Sequence, residues 1–306
     1  MHKASDVARV FEQVAPLNSG VPGDQLGFVF GDPNRQVKGV GCVWSADVLS
    51  IRACIEQGLD MMICHEAPFL PEQTSPWYEG PAKDAIFSNN ARRQLLEAHQ
   101  VVVYRSHSNW DGLPGDGVAD QAAAALPIKD MRTVARQKYF AVQELPEPMT
   151  VRRLMGLVEH GLGMPGCRLW GNPWQEIRRF AFLIGGFGGN QWHIPQAARE
   201  MGAEAIIVGE LIELLLIGAL EQGLPVIQTL HSASEIPGIK RQARVLAERL
   251  PDLPVRYVPS GALPFQAARG RHGAGHRGGS PGGAGHPDGA PQARGYPGSA
   301  NTHRPH

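Results

Sequence analysis

The sequence predicts an α/β protein with two related lobes meeting at a cleft, each a mixed sheet flanked by helices, and a polar site at the strand ends. Three observations predict it. Short apolar runs alternate with stretches of helical spacing through most of the chain, the pattern of strand–helix units. Four of those runs, spread over about 170 residues, end in an acid or a histidine. Residues 266–306 have a different composition altogether and fall outside the fold.

In order, Val7–Val14 has the spacing of an opening helix, and residues 21–30 form a loop leading into a strand. Residues 37–44 read as a strand. Ala46–Gln57 reads as a helix stopped by Gly58, with Val48, Ile51, Cys54 and Ile55 on one face. Met61–Cys64 is a strand, Asp84–Ala98 a helix, Val101–Tyr104 a strand and Gly117–Ala125 a helix. The second half alternates in the same way, with strand Phe140–Gln143, then helix Val151–His160 capped by Thr150, then strand Arg179–Ile184. Helix Ile194–Met201, strand Ala205–Val208, helix Leu211–Gln222, strand Val226–Leu230 and helix Pro237–Leu250 complete it. The expected division is a lobe at 1–128, a second at 129–265, and a tail at 266–306.

Charge and composition narrow the function classes. The formal net charge is zero, but the tail carries five arginines against one acid, Asp288, so the body is at −4. An acidic body argues against broad nucleic-acid binding. From Gln266 onward there is no Val, Ile, Leu, Phe or Met, too little apolar surface to offset the entropy of ordering, so the tail is expected to be disordered. Its five histidines lack the fixed spacing of a structural metal site. Cysteines 42, 54, 64 and 167 form no CxxC pair and read as buried thiols in a reducing compartment. With no apolar leader and no run near the roughly 18 apolar residues of a membrane span, the expectation is a cytoplasmic, non-membrane protein.

The chemistry sits in the four strand-end segments. Cys64-His65-Glu66 follows a buried run, and an unpaired carboxylate and imidazole there need a cation, hydrogen-bond partners or water. Ser106-His107-Ser108-Asn109-Trp110-Asp111 could be a turn satisfied by Asn109 and Asp111, but that leaves His107 and Trp110 without a reason. In His231-Ser232-Ala233-Ser234-Glu235, Ser234 is placed to cap a helix with Pro237 in its first turn. Glu235 then reads as a helix-start acid, or as a partner of His231 on one ion. Glu210 after Gly209 is either an acid supporting such a site or a plain helix-start acid. The glycines of 185–189 lack the spacing of a phosphate loop and read as a tight turn that lets backbones approach. His99, His160 and His193 read as structural. Together, His65, His231, Glu66, Asp111 and Glu235 make a two-metal site plausible, with cations roughly 3.5–4 Å apart for assisted hydrolysis. Imidazole with carboxylate suits Zn, Mn or Fe.

Taken in order, these motifs resemble the NGG-interacting factor three-like (Nif-three-like) family, often labelled GTP cyclohydrolase 1 type 2 homologues. The resemblance runs from about Val7 to Phe265: Ala15-Pro16-Leu17, Gly27, Gly31-Asp32-Pro33, His65-Glu66-Ala67-Pro68, Ser106–Asp111, the glycines of 185–189, Val208-Gly209-Glu210 and His231–Glu235. It implies the Nif-three-like fold with a dinuclear centre between lobes, and a toroidal hexamer. The implied metal ligands are His65, Glu66, Asp111, His231 and Glu235, with Glu235 as the bridge. Two departures stand out. Glu66 replaces the second histidine of a His-His-Pro motif, shifting the site toward harder metals such as Mn or Mg. Val208 replaces a threonine. The short 129–179 stretch leaves no room for the domain that longer relatives insert.

The leading functional expectation is therefore a protein with two divalent ions per chain, acting as a hydrolase through a metal-bound water. Its substrate would be a small molecule, nucleotide-like by resemblance, with Glu210 as proton shuttle. The competing expectation is a non-catalytic metal-binding adaptor or metal-homeostasis protein; nucleic-acid binding through the tail ranks last.

Overall fold

The computed structural model describes residues 2–71, 79–137, 140–188 and 191–261; the tail 266–306 and Gly189 of the glycine run lie outside the described residues. The elements run β1 (His2–Lys3), α1 (Ala4–Glu12), β2 (Gly27–Phe30), β3 (Gln36–Val37), β4 (Val40–Val43), α2 (Val48–Glu56), β5 (Met61–Cys64), α3 (Phe87–Ala98), β6 (Val102–Arg105), α4 (Ser108–Asp111) and α5 (Val118–Ala124). They continue with β7 (Arg132–Gln137), β8 (Phe140–Thr150), α6 (Val151–Leu162), β9 (Arg168–Trp170), β10 (Glu176–Phe187), α7 (His193–Glu200), β11 (Ile206–Leu211), α8 (Glu213–Glu221), β12 (Val226–Gln228), α9 (His231–Arg249) and β13 (Val255–Tyr257).

Two mixed sheets result, ordered β13-β4-β5-β6-β2 and β7-β8-β10-β11-β12-β9. The first is built on four adjacent parallel strands, β13-β4-β5-β6, and the second on three, β10-β11-β12. Parallel strands need crossovers, and here α2 and α3 serve the first sheet and α7 and α8 the second. This repetition is the relatedness expected of the two halves. The expected division at 128 falls between α5 and β7, although β13 returns to pair with β4 in the first sheet.

Strand alternation assigns every face. Met61, Ile63, Val102 and Tyr104 point inward to the same core as Phe180, Phe182, Ile184, Ile207 and Ile227 of the second sheet. Helices α1, α5, α6 and α9 fill this shared core through Val7, Phe11, Val118, Leu154, Ile239 and Leu246. The alternate residues Met62, Cys64 and Val103 face outward against Ile51 and Leu96. Likewise Ala181, Leu183, Ile206, Val208 and Val226 face Ile194, Leu215 and Ala219. Both faces of the central strands of each sheet are buried, which is why these strands read as continuous apolar runs. Because the two sheets share one inner layer, the carboxyl ends of β5, β6, β10, β11 and β12 deliver their exits to one place.

Several boundaries differ from expectation. The strand expected over 37–44 is broken: the Lys38 amide donates to Asp60 Oδ1 at 2.7 Å, so β3 pairs with β1 and β4 with β5. Strand β11 continues to Leu211 because Glu210 and Leu211 pair with Gly186 and Phe187. Glu210 is therefore a strand residue, and α8 starts at Glu213 rather than Leu211. The last long helix starts at His231, not Pro237, with Pro237 inside it. Thr150 caps α6 as expected, accepting from the Arg153 amide at 3.3 Å.

Candidate metal centre

His65 leaves the end of β5 with its amide still bonded to the Val43 carbonyl, so its ring is held in the buried layer. Nδ1 donates to the Ser106 carbonyl at 3.1 Å, which fixes the tautomer and leaves Nε2 as a lone pair. That atom lies 3.3 Å from Asp111 Oδ1 and 3.5 Å from Glu235 Oε2. Asp111 reaches it because 108–111 coil into the single turn α4, in which the Trp110 and Asp111 amides bond to the His107 carbonyl. Trp110 pins that turn: it stacks on Phe11 at 5.7 Å and donates Nε1 to the Gly238 carbonyl at 3.1 Å. Its place in the motif is structural.

Starting α9 at His231 sets His231 and Glu235 one turn apart on one helix face. His231 Nδ1 donates to Glu210 Oε1 at 2.7 Å, so its Nε2 faces Glu66 Oε1 at 3.2 Å and Glu235 Oε1 at 3.3 Å. Glu235 is shared by both imidazoles, and its Oε2 also accepts from Trp44 Nε1 at 2.6 Å. Two glycines make room for this. A Cβ on Gly185, which has φ +69°, would stand 2.4 Å from Glu235 Oε1 and 2.8 Å from His231 Nε2. A Cβ on Gly209 would stand 2.4 Å from the Gly185 carbonyl and 2.7 Å from His231 Cα. Close backbone approach is thus the reason for both.

All five expected ligands therefore come together, and Glu210 stands behind His231. Sequence reasoning left His107 unexplained. It lies with its ring 4.8 Å from that of His65 and donates Nδ1 to Asp24 Oδ2 at 3.0 Å. Asp24 also receives the Ser108 amide and hydroxyl and the buried Arg105 guanidinium at 2.8 Å. Arg105 in turn donates Nε to the His65 carbonyl at 3.0 Å. Two groups of potential metal ligands, His65–His107–Asp111 and His65–Glu66–Glu235, each bring their ligand atoms within 4.8 Å and share His65. Asp24 and Trp44 carried no local signal, since their partners lie 81 to 191 residues away in the chain.

The donor set fits cations. His65 Nε2, Glu66 Oε1 and Asp111 Oδ1 are buried without a hydrogen-bond partner among the described residues. Three such atoms converging would be costly unless a positive charge satisfied them. Without a cation, protons substitute. Burial opposes charge on His65, but the Asp111 and Glu235 carboxylates outweigh it and hold the imidazole up to about 9. Burial likewise opposes charge on His231, and the facing Glu235 and Glu66 carboxylates push it up to about 11. Burial raises Asp111 to about 6 against the pull of His65. Burial also resists ionisation of Glu235, yet the charge of His65 and the bond from His231 hold it well below the usual carboxylate range.

The site has a closed and an open side. The side chains of His65, Asp111 and Glu235 are 0%, 6% and 4% exposed, whereas His231 and Glu66 are 26% and 23% exposed. Cavities of about 490 Å³ and 460 Å³ lie against this open side, both lined by Trp44 and His231. A further cavity, about 530 Å³ between α5, α6 and α9, lies elsewhere.

A family model described as Duf34/NIF3 (NGG1p interacting factor 3) matches residues 2–261. The chain belongs to this family. Among its relatives, a Clostridium perfringens "GTP cyclohydrolase 1 type 2 homolog" is 25% identical over 268 residues, covering 84% of this chain and 96% of its own. The Escherichia coli protein of the same description is 31% identical over 204 residues, covering 67% and 76%. The crystal structure of a Bacillus cereus protein related to NIF3 superposes with a TM-score of 0.72 at 16% identity, covering 88% of this chain and 99% of its own. That likeness establishes the fold, in agreement with the resemblance seen in the motifs. Among the described residues no helix is long and apolar enough to cross a membrane.

Proposed function

We propose that this Duf34/NIF3 protein binds two divalent metal ions per chain and hydrolyses a small anionic substrate. One observation carries the catalytic part: the ligand set is sealed on the His65–Asp111 side and opens into ligand-sized cavities at His231 and Glu66. A closed structural site has no need of such access. His65, Glu66, Asp111, His231 and Glu235 would hold the ions, with Glu235 between the two imidazoles as the bridge and His107 beside the closed site. Mn, Fe and Zn suit imidazole with carboxylate, and the third carboxylate, Glu66, extends the range to Mg. When bound, such ions polarise the scissile bond and lower the pKa of water, supplying hydroxide near neutral pH.

The chain's own contribution is orientation and charge. Ser106 and Glu210 fix the tautomers of His65 and His231 from behind. Three carboxylates against two divalent ions leave the centre net positive with neutral imidazoles, which favours an anionic substrate. Glu210, 61% exposed and bordering the 460 Å³ cavity and a further one of about 400 Å³, would serve as the proton shuttle while holding His231. Self-association belongs to the same proposal, hexameric by resemblance. Ile212, Leu214 and Ile217 around α8 are 40%, 63% and 44% exposed, and helices apolar on all sides are normally covered.

The test is turnover by the metal-loaded chain across phosphate esters, cyclic amides and nucleoside triphosphates, with the Asp111→Ala variant alongside. Hydrolysis that disappears together with metal in the variant is the expected result. Two bound metals with no turnover in any class would instead favour a non-catalytic metal-binding role.

A further inference from the structure

The cavity of about 490 Å³ on the open side is lined by Glu66, His231 and Asp47 and by Arg92 of α3, with Trp44, Leu49 and Leu70 among its walls. Arg92 is half-buried, and Nη1 donates to the Pro68 carbonyl at 2.7 Å. Its Nε is buried without a partner, and no carboxylate among the described residues lies within ion-pair distance of it. Asp47 lines the same cavity and its charge favours the guanidinium, but its carboxylate is engaged by the Ser50 amide at 2.8 Å, as cap of α2, and by the Gly261 amide at 3.1 Å. A guanidinium partly withdrawn from water, with no ion-pair partner among the described residues, is a cost to the fold. Burial accordingly lowers the pKa of its charged form. Along the same cavity, Leu49 and Leu70 are 75% and 48% exposed, apolar surface left in water at the rim. A cation in the lining of a cavity with apolar walls that also holds candidate metal ligands is an arrangement suited to an organic anion.

We infer that Arg92 is the specificity-determining anchor of this site, binding the oxyanion of an organic phosphate or carboxylate whose apolar body lies along Trp44, Leu49 and Leu70. This rests on the hydrolase reading for what happens at the metal end, but not for the binding itself. The bond from Nη1 to Pro68 fixes the guanidinium on the loop that carries Glu66, so the anchor and the reacting end keep a set separation. The anchored oxyanion is then remote from the bond that is cleaved. Substrates lacking a second anionic group would bind more weakly but be processed by the same residues.

The experiment compares the metal-loaded full chain with Arg92→Gln and Arg92→Lys by calorimetry, using phenylphosphonate, benzoate and the neutral benzyl alcohol as probes, with metal content measured on each sample. Arg92→Gln is expected to weaken phenylphosphonate at least about tenfold, the loss of one charge-assisted hydrogen bond. Metal content and the response to benzyl alcohol should not change, and Arg92→Lys should recover part of the loss. The benzoate arm separates carboxylate from phosphate recognition: weakening of both assigns a general oxyanion anchor, and weakening of phenylphosphonate alone assigns a phosphate anchor. Unchanged anion binding in Arg92→Gln overturns the inference, as does loss of metal with it, which would make Arg92 a structural tie to Pro68. A wild-type chain that holds no metal defeats the hydrolase reading instead, while the ratio of wild type to variant still decides the anchor.

Discussion

Glu235→Gln is the most incisive single change, because it alters charge at nearly constant shape. Glu235 is 3% exposed and touches both imidazoles and the Trp44 indole. The amide oxygen of glutamine can still accept from Trp44 Nε1. The amide nitrogen would then replace Oε1, which lies 3.3 Å from His231 Nε2, and an amide nitrogen is no metal ligand. In the metal-free chain, removing one member of a buried charge cluster costs about 3–5 kcal/mol; retention of the Trp44 bond puts this variant near 3 kcal/mol. With metal, the loss is larger. Changing groups that merely support a ligand costs about 10–100-fold in affinity, so removing the carboxylate proposed as the bridge should exceed about 100-fold for one ion. Dialysis followed by elemental mass spectrometry should find at most one ion per chain, and urea unfolding of the metal-free form should give the stability difference. Two retained ions of wild-type affinity, with unchanged stability, would refute the role assigned to Glu235.

Three further outcomes follow from the same geometry. Gly209→Ala places a methyl 2.4 Å from the Gly185 carbonyl and 2.7 Å from His231 Cα; backbone cannot yield as a side chain does, so the cost should reach about 1–3 kcal/mol or more, with metal affinity lost as α9 shifts, read by thermal unfolding with and without metal. Metal affinity should rise with pH: His65 and His231 are held protonated up to about 9 and about 11 without metal, and each ion must displace those protons. The sign follows, since a raised imidazole value stabilises the metal-free chain below its ordinary value near 6.5 and loses that contribution as pH rises toward 9; calorimetry in buffers of different ionisation enthalpy should detect proton release at pH 7. Asp24→Asn should destabilise by about 3 kcal/mol at pH 7, because it breaks the buried pair with Arg105. Although burial opposes it, bonds from His107 and Ser108 and the charge of Arg105 hold the Asp24 carboxyl well below its ordinary value, so the gap between wild type and variant should persist above about pH 4 and close as pH falls below it.

Much of this site was legible because its residues stand where buried strands stop. His65, Asp111, Glu210 and His231 each follow a run whose apolar character comes from burial on both sheet faces. What was not legible depends on distant partners. Ser234 reads as a helix cap from its neighbours, but its hydroxyl accepts from the Gly185 amide at 3.0 Å and donates to the His231 carbonyl at 2.7 Å. With Ser234 so used, α9 begins a turn earlier and accommodates Pro237 inside, and that shift is what aligns His231 with Glu235. Strands β7, β9 and β13 were missed because all three are sheet edges with mostly exposed or half-exposed residues, so none shows an apolar run. Asp24 could not be singled out at all: nothing near it in sequence distinguishes it from an ordinary loop acid.

Metal at this cluster is the central claim, and elemental mass spectrometry of the loaded protein tests it most directly. The full chain should be measured beside residues 1–264, which form one compact unit, so that ions held by the five histidines of the tail are counted separately. His65→Ala and Asp111→Ala in the shorter chain complete the set. Near two ions per chain in residues 1–264, falling in both variants, is the predicted result. A chain that stays empty after loading with Mn, Fe or Zn would contradict the claim, leaving the Duf34/NIF3 fold without its centre.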